Sequence, residues 1–83
     1  MPENNRQISL SEMTAGEDAT VRAFHGGRMV NSRLASLGYT PGVRVKMTQN
    51  YGRGPLIVTV RGARVALGRG EASKIMVERG AFE

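Results

Sequence analysis

Residues 56–67 read LIVTVRGARVAL, two runs of apolar and β-branched residues around a central glycine. Valine, isoleucine and threonine favour strands because their branched side chains pack well on a pleated surface. We therefore predict one strand at residues 56–61 and an antiparallel mate at residues 64–67. Gly62 and Ala63 are expected to make the tight turn between them.

Two segments before this hairpin alternate apolar and polar residues, a pattern that is typical of half-buried strands. They cover residues 19–24 and residues 43–48. After the hairpin, a short strand is predicted at residues 75–77, preceded by a single helical turn at residues 71–74. The sequence thus predicts five strands.

One segment, residues 28–37, has a different period. Its apolar residues recur at spacings of four and three, which is helical spacing: Val30, Leu34 and Leu37. Gly38 stands where a left-handed C-terminal cap is wanted, and Tyr39 after it is expected to pack back on the helix. Pro41 and Gly42 predict a type II turn directly afterwards. We expect a short helix whose three apolar residues face the core.

The predicted elements describe a small, strongly bent sheet with 11 glycines and 3 prolines at its corners. A sheet this short can hide its edges by curling into a barrel, and SH3-like and OB-like barrels are available at this length. Leu10 and Met13 are expected to close one end of the core. Because 83 residues leave room for one thin core, we predict a single, mainly β domain with one short α-helix.

The charges are unevenly distributed along the chain, whose net charge is +5. Every acidic residue lies near an end, and residues 19–70 contain only basic ones: Arg22, Arg28, Arg33, Arg44, Lys46, Arg53, Arg61, Arg64 and Arg69. Such asymmetry indicates an acidic partner, which could be a protein, a nucleic acid or an anionic lipid. A merely solvated surface is the alternative.

The sequence contains little that could perform catalysis or hold a cofactor. With no cysteine and a single histidine, His25, it has no set of metal ligands and no oriented nucleophile. The glycine clusters around Gly52 and Gly68 lack the residues that a phosphate-binding loop requires. We therefore predict no enzyme activity, no catalytic residue, no metal ligand and no cofactor. No apolar run approaches the length of a membrane span, and we expect a cytoplasmic protein.

Several segments occur in an order that is typical of one known family: Leu10-Ser-Glu-Met13, Gly16, the strand around Val21, Gly26-Gly27, Arg33-Leu-Ala-Ser-Leu-Gly38, Thr40-Pro-Gly42, Val65-Ala-Leu67 and residues 71–77. Together they resemble the FeoA family of small cytoplasmic proteins of the bacterial ferrous iron uptake system. Residues 33–42 are the most specific of them, although iron-dependent repressors share this motif in their C-terminal barrel. Since no helix-turn-helix pattern precedes it in this sequence, we expect the transport protein rather than the repressor.

The resemblance implies an SH3-like barrel at residues 8–79, between a flexible tail at residues 1–7 and a second tail at residues 80–83. It also implies a binding role in iron uptake, with FeoB as partner. FeoB is the inner-membrane ferrous iron transporter whose cytoplasmic part contains a GTP-binding domain. The family offers no iron-ligand motif that maps onto this chain.

We expect partner docking to use the helix and the loop at residues 49–55. Arginine and tyrosine often dominate interfaces, and the outward-facing candidates are Arg28, Arg33, Tyr51 and Arg53. The residues that define the family motif are expected to be core, cap and turn: Leu34, Leu37, Gly38, Pro41 and Gly42.

Two other binding functions stay open from sequence. A basic barrel could bind nucleic acid by stacking bases on Tyr51 beside Arg53 and Lys46, while Phe24 and Tyr39 are expected to serve packing. An anionic membrane could be bound if the outward arginines shared one side of the barrel, namely Arg22, Arg44, Arg61 and Arg64.

Overall fold

The fold is mainly β, as predicted, in a computed structural model that describes residues 6–80. The strands are β1 (Gln7–Ser9), β2 (Asp18–Phe24), β3 (Arg44–Gln49), β4 (Leu56–Val60), β5 (Ala63–Leu67) and β6 (Ile75–Arg79). The helices are α1 (Gly27–Ser36), α2 (Arg69–Ala72) and a 3-10 turn at Leu10–Glu12. The tails predicted at residues 1–7 and 80–83 lie outside the described residues except at Arg6, Gln7 and Gly80.

The strands form one antiparallel sheet in the order β1-β6-β2-β3-β4-β5. The prediction of five strands is wrong by one, because β1 has three residues and is too short to show alternation. Ile8 of β1 pairs with Val77 of β6. Pairing with a distant strand, rather than local pattern, makes this segment a strand.

A single hydrophobic core lies against one face of the sheet and draws on every strand from β2 to β6. Its fully buried members outside the strands are Leu10, Met13, Leu34, Tyr39 and Ala72. Leu10 and Met13 thus pack in the core as expected. The helices and the 3-10 turn cover the ends that the sheet leaves open. No helix within residues 6–80 has both the length and the apolar character needed to span a bilayer.

The β4–β5 hairpin turns one residue earlier than predicted. Arg61 and Gly62 both have positive φ, +53° and +83°, and Val60 pairs with Ala63 across them. These are the features of a two-residue turn of type I′, whose twist matches that of the flanking strands. A bulky residue rarely adopts positive φ, so the sequence pointed to Gly62-Ala63 instead.

Helix α1 ends as the sequence predicts, but one of its apolar residues points elsewhere. Gly38 has φ +102° and its N–H donates to the Ala35 oxygen, while the Tyr39 N–H donates to the Leu34 oxygen. These two bonds make a Schellman motif, in which the residue after the glycine packs on the last helical turn. Tyr39 is therefore buried, and Leu37, which we predicted in the core, is 36% exposed.

The turn after α1 also follows the prediction. The Val43 N–H donates to the Thr40 oxygen at 3.0 Å, and Gly42 at the third position of the turn has φ +93°. This is the geometry that Pro41 and Gly42 indicate. The turn delivers the chain into β3, so that the single long helix is tied at its end to the centre of the sheet.

Candidate functional site

Side-chain contacts link three elements, whose exposed residues we call the helix–loop face: α1, α2 and the loop at residues 50–55. The Arg33 guanidinium of α1 lies 2.7 Å from the Glu71 carboxylate of α2. The Arg69 guanidinium of α2 donates to the Gly54 oxygen of the loop at 3.1 Å. Helix α2 therefore joins the two segments on which we predicted partner-binding residues.

Two of the four predicted residues present free positive charge on this face. Arg28 lies in the first turn of α1 and Arg53 lies in the loop, and both are exposed. Neither forms an ion pair with any residue between positions 6 and 80. Their charges are available to an acidic partner.

Arg33, the third predicted residue, has a structural role in addition. Its side chain is 62% exposed, but its guanidinium pairs with Glu71. An exposed ion pair contributes little to stability, about 0–1 kcal/mol, yet this one neutralises part of the charge that Arg33 would offer a partner. Arg28 and Arg53 are therefore the better electrostatic probes of the face.

The face also exposes large apolar and aromatic side chains. Tyr51, the fourth predicted residue, is 77% exposed, and Met29 of α1 is 85% exposed. Sequence reasoning missed Met29, although the helical stripe of Val30 and Leu34 already places it off the buried side. Methionine and tyrosine beside arginine are the residue types enriched in protein interfaces.

A hydrogen-bond network that sequence reasoning also missed holds the loop in place. The Arg69 guanidinium donates to the Asn50 Oδ1, the Gly54 oxygen and the Ser11 oxygen. Asn50 donates in turn to the Ser11 and Met13 oxygens and accepts from the Gly52 N–H. Only the Asn50 to Gly52 turn has a local sequence signal; the other bonds join distant segments.

Four other basic residues lie on β3, on β5 and in the turn between β4 and β5: Arg44, Lys46, Arg64 and Arg61. An open cleft of about 350 Å³ is lined there by Asp18, Arg44, Lys46, Thr59 and Arg61 among others. Of the four arginines considered for a membrane-binding side, Arg22 lies on β2 and is paired with Glu78 at 2.8 Å. The other three belong to β3, β5 and the turn between β4 and β5.

The structure brings together no metal-binding set of side chains within residues 6–80. No three histidine, cysteine, aspartate or glutamate side chains in this range cluster in a way that could hold a metal ion. His25 is exposed, and its backbone N–H donates to the Lys74 oxygen at the end of β2.

The aromatic side chains offer little for base stacking. Tyr39 is fully buried and Phe24 packs against the core, as predicted, so among residues 6–80 only Tyr51 presents a free ring. Phe82 lies outside the described residues. A single exposed ring makes a weak platform for a nucleic acid.

Tyr39 is unusual because its buried hydroxyl has no hydrogen-bond partner within residues 6–80. Burial, followed by the negative charge of Glu71, raises the pKa of Tyr39 to about 12 from an ordinary 10.0. The folded state thus holds the neutral phenol more tightly than the unfolded state does. Its contribution to stability is present below pH 10.0 and is lost as the pH rises through about 12.

We expect Tyr39→Phe to raise the free energy of unfolding at neutral pH by about 1 kcal/mol, because it removes an unsatisfied buried hydroxyl. It should also flatten the fall in stability between pH 10.0 and 12, the window set by the pKa of Tyr39. Urea unfolding across this range measures both effects. Tyr51→Phe is the matched control, since its hydroxyl is exposed. A destabilised Tyr39→Phe protein would show that the hydroxyl has a partner after all.

Comparison with known proteins places these features in a family. The FeoA domain family model matches residues 8–79. A Methanocaldococcus jannaschii protein named as an Fe(2+) transport protein A is 40% identical over 63 residues, which are 76% of this chain and 76% of that protein.

Solved structures agree with this match. The crystal structure of an iron uptake regulatory protein, FeoA, has a TM-score of 0.84 at 36% identity and covers 88% of this chain and 97% of that one. The zinc complex of Stenotrophomonas maltophilia FeoA, described as a procaryotic SH3 domain protein, has a TM-score of 0.75 at 32% identity, over 86% and 89% of the two chains. A manganese-dependent transcriptional repressor, at 22% identity and a TM-score of 0.81, shares the fold. The SH3-like fold is thereby confirmed.

Proposed function

The chain belongs to the FeoA domain family, which is associated with ferrous iron transport, and on this basis we propose that it is a non-enzymatic accessory protein that docks on the cytoplasmic part of an FeoB-type GTP-binding iron transporter. The family is one of transport accessory proteins. The proposal adds the partner, the cytoplasmic location and recruitment to the inner membrane through that partner.

One observation carries the docking proposal: the helix–loop face combines free positive charge with exposed apolar surface. Arg28 and Arg53 are unpaired within residues 6–80, and Met29 and Tyr51 expose most of their side chains. Apolar and aromatic anchors supply binding energy when they are desolvated, and arginines select an acidic partner. The helix–loop face is therefore complementary to a partner surface on which acidic residues surround apolar ones.

Docking can regulate a transporter only through a difference in affinity. A bound domain shifts the balance between two transporter states by as much as it prefers one of them, and no further. Because the Arg69 hydrogen bonds hold the loop against α2, this part of the face can meet its partner in a preformed conformation. The loop then loses little conformational entropy when it binds.

The test is the affinity of the purified protein for an FeoB-type transporter, measured on its cytoplasmic portion and on the intact transporter. We expect the double variant Arg28→Glu, Arg53→Glu to bind about tenfold more weakly or worse, because two attractive charges become repulsive. Arg64→Glu makes the same kind of change on β5, outside the helix–loop face, and should bind normally. Failure of the wild-type protein to bind the intact transporter would refute the proposal.

Nucleic-acid binding is the alternative, and the same protein tests it. An RNA or DNA ligand should lose affinity steeply with rising salt and should bind less well to Tyr51→Ala. The single free aromatic ring argues against this function. Weak binding that is insensitive to salt would exclude it.

A further inference from the structure

We propose that the free edge of the sheet at β5 is a docking site for an extended acidic peptide segment, whose backbone adds to the sheet beside β5. This surface, which we call the β5 edge, is defined by Ala63–Leu67. It lies on different elements from the helix–loop face, and the inference does not rest on transporter docking.

The backbone of β5 is open to a partner on one side. β5 is the last strand in the sheet order, and Val60 and Ala63 flank a two-residue turn, so they form a hydrogen-bonded pair. Such pairs alternate along a ladder, which makes Val65 and Leu67 the other β5 residues that bond to β4. The N–H and C=O groups of Arg64 and Ala66 therefore point away from β4.

No other strand or loop in the described part of the chain occupies these groups. Between positions 6 and 80, no backbone hydrogen bond outside the β4–β5 ladder involves Arg64 or Ala66. Both residues are also exposed. An unpaired edge of this kind is the template on which extended peptides add a strand.

The basic residues beside the β5 edge determine which charge a docked strand should have. Arg64 lies opposite Thr59 of β4, which lies opposite Lys46 of β3, so both basic residues stand in one row on the outer face. Residues 44–67 contain no acidic residue. A paired strand would place alternate side chains directly beside Arg64, where opposite charges attract and like charges repel.

On the side of β5 opposite Arg64, a docked strand would meet an apolar surface. Val65 points to the side opposite Arg64, because side chains alternate along a strand, and it is half-buried against the core. A docked strand would place every second side chain beside the half-buried Val65. The segment that fits the β5 edge therefore alternates acidic and apolar residues.

The same charge disfavours pairing between two copies of this chain. Two β5 edges brought together antiparallel about Arg64 would place this residue directly opposite its own counterpart. Edge strands commonly avoid self-association through such charges. The positive charge at the β5 edge thus disfavours pairing with a second β5 edge and favours pairing with an acidic strand.

The test uses a capped synthetic peptide of alternating glutamate and valine as probe, titrated into isotope-labelled protein and followed by NMR. We expect shifts and slowed hydrogen exchange at the Arg64 and Ala66 amides. Arg64→Glu should weaken binding about tenfold. Ala66→Pro should weaken it more, because it removes an outward N–H, and proline is tolerated at such edge positions.

The controls separate docking from misfolding and from simple charge attraction. Arg28→Glu changes charge on the helix–loop face and should leave peptide affinity unchanged. A lysine and valine peptide should not bind. If Ala66→Pro fails to fold, Arg64→Glu and the lysine peptide still decide the question.

Five results would overturn the inference. Four of them are equal binding of both peptides, binding that survives Arg64→Glu, peptide-induced shifts confined to residues outside β5, and no binding at all. Self-association that protects the Arg64 and Ala66 amides without peptide would assign the edge to a second copy, and would also overturn it.

Discussion

Leu34→Ala is expected to lower the free energy of unfolding by about 3 kcal/mol, a large fraction of the stability of a domain this small. Leu34 is the one fully buried residue of α1, and the Tyr39 N–H donates to its carbonyl oxygen. Truncating the side chain leaves a cavity in the core, because closely packed neighbours relax only in part around the missing atoms. Urea unfolding at neutral pH measures the loss.

Leu37→Ala is the matched control, since it makes the same change on the next turn of the same helix. The sequence places both leucines in the core, whereas the structure leaves Leu37 36% exposed. We expect Leu37→Ala to cost less than about 1 kcal/mol. Equal losses for the two variants would show that Leu37 is buried and that the end of α1 is wrongly described.

Arg69→Ala is expected to lower the free energy of unfolding by about 2 kcal/mol, because hydrogen bonds from a charged donor are worth more than neutral ones. The variant strips donors from the Ser11, Asn50 and Gly54 oxygens at once. The loop at residues 50–55 should loosen as well. Hydrogen exchange at the Gly52 amide, which donates to Asn50, reports on that loosening directly.

Two variants test whether Arg69 acts through its hydrogen bonds. Arg53→Ala removes an exposed arginine from the same loop and should change neither stability nor the exchange of the Gly52 amide. Arg69→Lys keeps the charge but not the forked donors, so it should recover only part of the loss. Full recovery by lysine would mean that charge alone holds the loop.

Local pattern was enough to predict most of the fold. Alternating side chains located β2 and β3, and β-branched residues around a turn glycine located β4 and β5, because both signals are visible in a short window of sequence. A short strand was also predicted correctly at β6. The end of α1 was predicted correctly at Gly38, because a Schellman cap is built from residues that are adjacent in the chain. Gly42 was predicted at its turn for the same reason.

The prediction failed where a residue depends on a neighbour that is distant in sequence. β1 becomes a strand by pairing with β6, and its three residues contain no alternation to find. The early turn at Arg61 is imposed by the register of β4 and β5. Leu37 has core spacing, but Gly38 reverses the chain directly after it, and Tyr39 is buried while Leu37 stays 36% exposed.

By itself the sequence determined the kind of protein this is: a small β domain with one helix, a basic middle, no recognisable catalytic set and the motifs of its family. Only the tertiary structure decided how the candidate residues are grouped. It joined α1 to α2 through Arg33 and Glu71 and joined α2 to the loop through Arg69, and it left the β5 edge open beside Arg64. Charge and periodicity are properties of neighbouring residues, whereas a surface is made by strand pairing between residues that are far apart in the chain.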